Sequence, residues 1–445
     1  MKRQAVETAR RSWPRLPARL VANLLAGHSA IGLAFGALIY LICLTGTISV
    51  FVDELKLIEA PAPPTRALTP GALNTAMAEA IQRLGGPAKA GVVFISGPVT
   101  PRQRWTVMSG DQTWRMDAKG GLTPMRTPWT DFVTDLHMTL TLPSPWGSVA
   151  VGVIGAALLS LVLSGVLAHP RILRDAFVLR FGGNRRLQEA DLHNRLSVWG
   201  LPFHIAVTLT GAFFGLSNLA LMAVAMLGFH GDPARATRVL EGPTVAADSR
   251  AAPLPPLAPL VAQVLTQRPG AKLSYIGVEQ PETQGAKITV EVTAPGRLPR
   301  GEQAYFDVRG HQIGWGRFAS GPAGLQVYAG AAQVHFGFFG GLPVRIAYGV
   351  LGAALTYISA TGITIWLLRR RDRGRPAPRL QRAWKDWTWG TPAALALASL
   401  TSAFAPVGVV FWGSSVLIMT IGQVWRFTPA GAKRHDSSGQ GHAQL

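Results

Sequence analysis

Long apolar stretches alternate with polar ones along this chain of 445 residues. Four of them are long enough for an α-helix to cross a hydrocarbon core of ~30 Å, which takes about 20 residues. They are residues 31–52, 146–168, 196–229 and 344–368. A fifth apolar region, 391–424, is interrupted by Pro406, which predicts one broken helix or a hairpin of two short helices. The pattern predicts a membrane all-α bundle of four core transmembrane helices with a C-terminal helix or hairpin added.

The composition agrees with a membrane protein, and the distribution of charge predicts its orientation. Only 15% of the residues are charged, against about 25% in an average soluble domain. The net charge of +20 is concentrated, because six Lys and Arg precede residue 28, six lie in 169–195 and eight in 369–385. Such clusters mark the cytoplasmic side, so the chain is expected in a bacterial inner membrane with two large periplasmic loops. The basicity therefore serves topology and contact with the lipid bilayer, and no nucleic-acid partner is expected.

An internal repeat is the most informative feature of the sequence. In each half of the chain two histidines precede a hydroxyl residue followed by a glycine, and the separations recur between the halves. The separation is identical for His28 with Thr45-Gly46 and His193 with Thr210-Gly211, and it differs by a single position between His137 with Ser164-Gly165 and His335 with Thr361-Gly362. Pairs of small residues let membrane helices approach closely. The spacing predicts an internal tandem repeat.

The two long loops between the spans also resemble one another. Each has a helix-like run, then three strand-like pieces, and an Asp-x-x-Gly turn at Asp117–Gly120 or Asp307–Gly310 in which Asp caps the turn and Gly supplies a positive φ. Each loop is therefore predicted to form a small periplasmic α+β domain. The helix-like runs are 71–84 and 257–265, and the strand-like pieces are 92–96, 104–108 and 113–117 in the first loop and 273–278, 288–292 and 304–307 in the second.

Clusters of Pro and Gly at 143–145 and 340–343 separate a short helix from the span that follows. They place His137 and His335 on short helices near the outer membrane surface. The expected organisation is a basic cytoplasmic N-terminus (1–27), span 1 (28–52), a first periplasmic domain (53–128), a short helix and span 2 (129–168), a basic cytoplasmic loop (169–195), span 3 (196–229), a second periplasmic domain (230–324), a short helix and span 4 (325–368), a basic loop (369–390), the C-terminal membrane segment (391–425) and a disordered tail (426–445).

Six of the ten histidines border or lie within a predicted span, where an ionisable side chain is costly and is a functional candidate. They are His28, His137, His169, His193, His204 and His335. Two imidazoles from facing helices of a bundle can ligate a haem iron. Histidine pairs at two depths in the membrane would hold two haem b groups, one near each membrane face, so that electrons could cross the bilayer.

Symmetry predicts that His137 pairs with His335 on the periplasmic side and His28 with His193 on the cytoplasmic side. His169 and His204 are alternates for the second site. His204 follows His193 by close to three helical turns, so both are expected on nearly the same face of one helix. Histidines at membrane edges can also snorkel or cap helix ends, and the same imidazoles could bind zinc or copper.

The sequence resembles the PepSY-associated transmembrane proteins. The resemblance rests on residues 167–177 (LAHPRILRDAF), 191–195 (DLHNR) and 200–204 (GLPFH), with further support from the two Asp-x-x-Gly loop domains, which look like PepSY domains. Further matches are His28 with 44–46 (LTG) and His137 after Leu136. Members of this family include inner-membrane ferrisiderophore reductases, in which a four-helix bundle binds haem and passes electrons to iron in the periplasm. The resemblance implies that the six histidines are candidate haem ligands, without fixing which of them share an iron.

The expected function is that of an oxidoreductase, a ferric or ferrisiderophore reductase acting in iron uptake. No Gly-x-Gly-x-x-Gly after a strand and no P-loop occur in the sequence, so the electrons are expected from a separate cytoplasmic reductase or from quinol. The alternative is a membrane-anchored PepSY protein that binds and regulates a periplasmic peptidase or another envelope partner. In that case histidine replacement would leave the function intact, whereas deletion of 71–120 would abolish it. A transporter with histidine proton relays is a third class, disfavoured because no intramembrane carboxylate accompanies the histidines.

Overall fold

The computed structural model describes residues 16–64, 67–100, 102–168, 184–232, 235–238, 242–294 and 296–424. The chain divides into two compact units, Met1–Gly362 and Ile363–Leu445. The helices named below are, in chain order, α1 (Ala18–Ser49), α2 (Val52–Glu59), α3 (Ala72–Arg83), α4 (Pro87–Ala90), α5 (Pro128–Thr139), α6 (Trp146–Ala168), α7 (Arg185–Trp199), α8 (Leu201–Gly215), α9 (Ser217–Gly228), α10 (Leu257–Gln267), α11 (Ala323–Phe336), α12 (Gly341–Asp372), α13 (Pro378–Thr401) and α14 (Val407–Val424).

Among the residues that the structure describes, four helices, α1, α6, α12 and α14, are long and apolar enough to cross a membrane. The pair α7 and α8 passes the same test together, although the two helices are bent by 74° at the break between them. The structure therefore confirms a membrane protein built from α-helices. In the second unit, α13 and α14 lie on either side of Pro406, so the C-terminal membrane segment consists of two helices.

The third span differs from the single helix predicted over 196–229. Three helices, α7, α8 and α9, cover this region, with breaks at Gly200 and Leu216. The first break has a clear cause, because Pro202 lies in the first turn of α8. Proline tolerates the first turn of a helix but removes a backbone donor and clashes with the preceding turn in a helix interior. The helix therefore ends at Trp199 and restarts in a new direction.

The two long loops form one antiparallel sheet of eight strands, in the order β4-β3-β2-β1-β5-β6-β7-β8. The halves are joined where β1 pairs with β5, from Val92 opposite Glu279 to Ser96 opposite Tyr275. Helices α3 and α10 contribute to a single apolar core shared by both halves. We call this assembly of β1–β8 with α3, α4 and α10 the sheet domain. Its strands are β1 (Val92–Ser96), β2 (Thr106–Ser109), β3 (Gln112–Met116), β4 (Leu122–Pro124), β5 (Lys272–Glu279), β6 (Lys287–Thr293), β7 (Gly301–Phe306) and β8 (Gln312–Gly316).

This single sheet differs from the predicted pair of separate domains with three strands each. The additional strands, β4 and β8, both follow an Asp-x-x-Gly turn. β4 has only three residues and ends in Pro124, and β8 contains Gly314 and Gly316, so neither has the β-branched or aromatic run that marks a strand. The turns themselves form as expected: Asp117 Oδ1 accepts hydrogen bonds from the backbone N–H groups of Lys119 at 2.7 Å and Gly121 at 2.9 Å.

Candidate functional site

Four histidines each lie against a different helix of the first unit, at or beside one of the hydroxyl-glycine pairs. In the first half, His28 on α1 reaches α6, where its Nδ1 is 3.1 Å from Ser164 Oγ. His137 on α5 reaches α1, where its Nδ1 donates to the carbonyl oxygen of Ile42 at 3.0 Å and its ring lies against Gly46. The contacts are reciprocal, because α6 receives His28 of α1 and α1 receives His137 of α5, the short helix that precedes α6.

The second half has the same arrangement. His193 on α7 reaches α12, where its Nδ1 is 3.0 Å from Thr361 Oγ1. His335 on α11 reaches α8, where its Nδ1 is 3.0 Å from Thr210 Oγ1. The hydroxyl-glycine pairs are therefore docking surfaces for imidazoles, a role that their small size alone does not reveal.

These hydrogen bonds define which ring nitrogen carries the proton. The hydroxyls of Ser164, Thr210 and Thr361 each donate to a backbone carbonyl four residues earlier, at 2.6, 2.6 and 3.0 Å. Their oxygens can therefore only accept from the imidazole, as the carbonyl of Ile42 must from His137. In all four histidines Nδ1–H is the donor, which leaves Nε2 with a free lone pair. A hydrogen bond from the other ring nitrogen is the usual way in which proteins orient a metal-ligating histidine.

Two glycines provide the space in which the imidazoles of His137 and His335 lie. A Cβ at Gly46 would come within 2.5 Å of His137 Cε1, closer than real contacts allow. A Cβ at Gly211 would lie 3.0 Å from His335 Cε1. Glycine at position 46 is thus required for the ring of His137 to approach α1, whereas a side chain at position 211 would make the ring of His335 shift by a few tenths of an ångström.

The structure brings together the two histidines that symmetry predicts on one side. The ring centres of His137 and His335 are 6.4 Å apart and their planes differ by 22°. Phe214 and Phe336 border the His335 ring, with centres at 5.8 and 5.3 Å. At the other end of the bundle, His28 and His193 lie close enough to interact electrostatically. We call these the sheet-side pair and the far pair.

The sheet-side pair fits a bis-histidine haem site. Two metal–imidazole bonds of about 2 Å, with roughly 1 Å from each nitrogen to its ring centre, require ring centres about 6 Å apart, and the observed separation is 6.4 Å. The donor set is also suitable, because each ring presents an unprotonated Nε2 in apolar and aromatic surroundings. Along α1, His28 and Gly46 are separated by five helical turns, which corresponds to about 27 Å. The two pairs therefore lie at levels separated by nearly the thickness of a hydrocarbon core.

His169 and His204 are the two predicted alternate ligands for the second site. His169 lies outside the described residues. His204 is 1% exposed, and its Nε2 is buried without a hydrogen-bond partner in the described part of the chain. The prediction that His204 shares a face with His193 was wrong, because the 74° bend at Gly200 separates α7 from α8. His204 lies against Gly200 and Phe203 of its own segment.

No motif or spacing in the sequence predicts the residues that anchor α5, the helix that carries His137. Thr127 occupies the N-cap position but does not cap the helix with its side chain. Instead Glu59 of α2 accepts hydrogen bonds from the backbone N–H groups of Trp129 at 2.8 Å and Thr130 at 2.9 Å. A carboxylate is favourable there because helix N-termini carry unsatisfied donors and a partial positive charge. No local signal marks Glu59, since it lies about 70 residues before the helix that it caps.

An ion pair also fixes α2 to the start of α12. Arg345 donates from Nη1 to Glu54 Oε1 at 2.9 Å and from Nε to the carbonyl oxygen of Val50 at 3.1 Å. Only 10% of the Arg345 side chain and 23% of the Glu54 side chain is exposed. Arg102 pairs with the same carboxylate from the sheet domain. α2 therefore connects span α1, span α12, helix α5 and the sheet domain.

Together these features define an integral membrane protein whose helices bring paired histidines together at two levels. The model of the PepSY-associated TM region matches residues 25–369. The chain belongs to this family. It is also 29% identical over 298 residues to an uncharacterised protein of Pseudomonas aeruginosa, a match that covers 63% of this chain and 74% of the relative.

Proposed function

We propose that this protein is a haem-containing electron-transfer protein of the bacterial inner membrane that reduces siderophore-bound ferric iron in the periplasm. The observation that carries the proposal is the geometry of the sheet-side pair, in which two imidazoles with free Nε2 atoms have ring centres 6.4 Å apart. Haem would supply a one-electron carrier at each pair. His137 and His335 would hold one haem, and His28 and His193 the other.

The distribution of basic residues supports the direction of electron transfer. Residues 169–195 are rich in Lys and Arg and include His193 of the far pair, and this side is cytoplasmic by the positive-inside rule. Electrons would enter there from a separate reductase or from quinol and leave on the side of the sheet domain. Reduction suits iron release, because the hard oxygen donors of siderophores favour ferric over ferrous iron.

The side chains of this protein have defined roles in the proposal. The Nδ1–H bonds to Ile42, Ser164, Thr210 and Thr361 would orient the four ligands and keep each ring in the tautomer that binds metal. The apolar surfaces of α1, α6, α8 and α12 would exclude water from the two sites. We interpret the similar arrangement of the two halves as the product of an internal duplication.

The decisive experiment is haem analysis of the purified protein. In detergent, the dithionite-reduced protein should give a b-type spectrum, and a pyridine haemochrome assay should find two haems per chain. His137→Ala should remove one haem and leave the other spectrum in place, and His28→Ala should do the reverse. His311→Ala is the matched control, because its side chain is 72% exposed in the sheet domain. Wild-type protein that never binds haem would refute the proposal, and loss of both haems in a single variant would indicate collapse of the bundle.

A further inference from the structure

A cavity of about 310 Å³ lies between α2 and the sheet domain. Its wall is formed by α2, by residues 102–104, and by side chains of β2, β3 and β5, including Arg115 and Tyr275. This volume is at the lower end of the range for small-molecule sites, roughly 300–1,000 Å³. The paired histidines do not contribute to it, so it is a separate candidate for ligand binding.

The charges that line the cavity are predominantly positive. Four cationic side chains face a single acidic one, Asp53; the cationic residues are Lys56, Arg102, Arg104 and Arg115. Burial raises the pKa of Asp53, although Arg345 opposes this shift, so the acid ionises less readily than a free aspartate. The lining is therefore suited to an anion.

Arg115 retains unused hydrogen-bonding capacity. Its Nη1 donates to the carbonyl oxygen of Pro61 at 2.7 Å, while its Nε is buried and has no acceptor among the residues that the structure describes. Within the described part of the chain it has no carboxylate partner, in contrast to Lys56 and Arg102, which pair with Asp131 and Glu54. A guanidinium binds carboxylate oxygens in a planar, bidentate manner, and a buried donor without an acceptor indicates a missing partner.

An ion pair links the wall of the cavity to α5, the helix that carries His137 of the sheet-side pair. Lys56 Nζ in its wall is 3.1 Å from Asp131 Oδ1 on α5. Asp131 precedes His137 on that helix by about 9 Å along its axis. A ligand in the cavity would thus contact α2, whose Lys56 pairs with the helix that carries His137.

We infer that this cavity binds an anionic ferric chelate, whose carboxylate or phenolate oxygens contact Arg115 and the neighbouring arginines. The inference rests on the proposed function only in its choice of a ferric chelate over other anions. The anionic oxygens bind the guanidinium groups, and the metal is presented on the side of the membrane where electrons would leave. A chelate larger than the cavity would extend through its open side.

The test is calorimetric titration of the full-length protein with gallium(III) citrate, an anionic chelate that cannot be reduced under these conditions. Arg115→Gln should weaken binding at least about tenfold, because a charge-assisted hydrogen bond is lost, and Arg115→Lys should retain part of the affinity. Arg309→Gln, an exposed arginine of the second half, should bind like the wild type. Arg104→Gln provides a second variant if Arg115→Gln lowers the melting temperature.

Three outcomes would overturn the inference: no binding of gallium citrate, equal affinity in wild type and both glutamine variants, or metal-free citrate binding as tightly as its gallium complex. Haem content is measured on the same samples. Protein without haem that still binds gallium citrate through Arg115 would refute the proposed function and leave the cavity assignment intact. Haem-loaded protein that fails to bind the chelate would do the opposite.

Discussion

His335 Nδ1 lies 3.0 Å from Thr210 Oγ1, although 125 residues separate them in the chain. The threonine hydroxyl donates to the carbonyl oxygen of Ala206 at 2.6 Å, so it accepts the imidazole proton. This contact sets the tautomer of His335, whose ring lies against Gly211 of the same helix. In the pair Thr210-Gly211 the glycine thus leaves room for the ring, and the threonine hydroxyl orients it.

Replacing Thr210 with Val should weaken haem binding at the sheet-side pair. The valine keeps the shape of the side chain but removes the acceptor for Nδ1–H, and loss of such partners typically costs about 10–100-fold in affinity for a metal. Thr210→Ser retains the hydroxyl and should bind haem nearly as well as the wild type. Titration of apoprotein with haem measures the effect, and equal affinity in the valine variant would show that this bond does not orient a ligand.

A methyl group at Gly46 should disrupt the same site by steric contact. In Gly46→Ala the added Cβ would lie 2.5 Å from the Cε1 position of His137, so the ring or the helix must shift, at a cost of about 1–3 kcal/mol. One haem should be lost while the far pair keeps its spectrum. Gly27→Ala is the control on the same helix, because no atom lies within 4 Å of its added Cβ. If both variants behave alike, contact with His137 is not the cause.

Removal of Arg345 should destabilise the protein strongly. Its side chain is 10% exposed and binds both Glu54 and the Val50 carbonyl oxygen. Breaking a buried pair by removing one partner costs about 3–5 kcal/mol, and the loss here is expected below that range because Arg102 still pairs with Glu54. Arg345→Met should therefore lower the melting temperature measured by circular dichroism in detergent. Arg309→Met, on an exposed turn, should change the free energy of unfolding by less than about 0.5 kcal/mol. A small effect at Arg345 would show that α2 is held mainly by its other contacts.

Truncation of Glu59 should loosen α5. Glu59→Ala removes the acceptor for two backbone N–H groups at the start of this helix, and loss of a helix cap costs about 1 kcal/mol. Because α5 carries His137, haem should dissociate faster from the sheet-side pair than from the far pair. Stopped-flow transfer of haem to an acceptor protein measures both rates. Acceleration at both sites to the same extent would point to a general loss of stability.

The stability of the sheet domain should depend on pH through Glu291. Burial raises the pKa of this carboxyl group, partly offset by its hydrogen bond with Gln303. A raised pKa means that the folded state binds the proton more tightly than the unfolded chain, so the stabilisation is present at low pH and is lost as the pH rises through the pKa of the folded state. Glu291→Gln should flatten the fall in melting temperature that begins as the pH rises above the ordinary pKa of a glutamate. An unchanged slope would exclude Glu291 as its source.

The sequence by itself determined the class of protein and the residues to consider. Apolar length is set by the thickness of the bilayer, so the spans and the family could be predicted from composition and motifs. The breaker-flanked helices and the spacing of the histidines also led to the pairing of His137 with His335. Local turns, such as the one capped by Asp117, depend on neighbouring residues and were predictable for the same reason.

The tertiary structure alone decided the contacts that cross long separations in the chain. The union of two loops in one sheet depends on the pairing of β1 with β5, and either loop considered separately resembles a complete small domain. The cap from Glu59 to α5 and the pair of Arg345 with Glu54 join segments distant in sequence, so no periodicity or local motif marks them. The bend at Gly200 separated His204 from His193, because the direction of the chain after a helix break is set by packing and not by helical spacing.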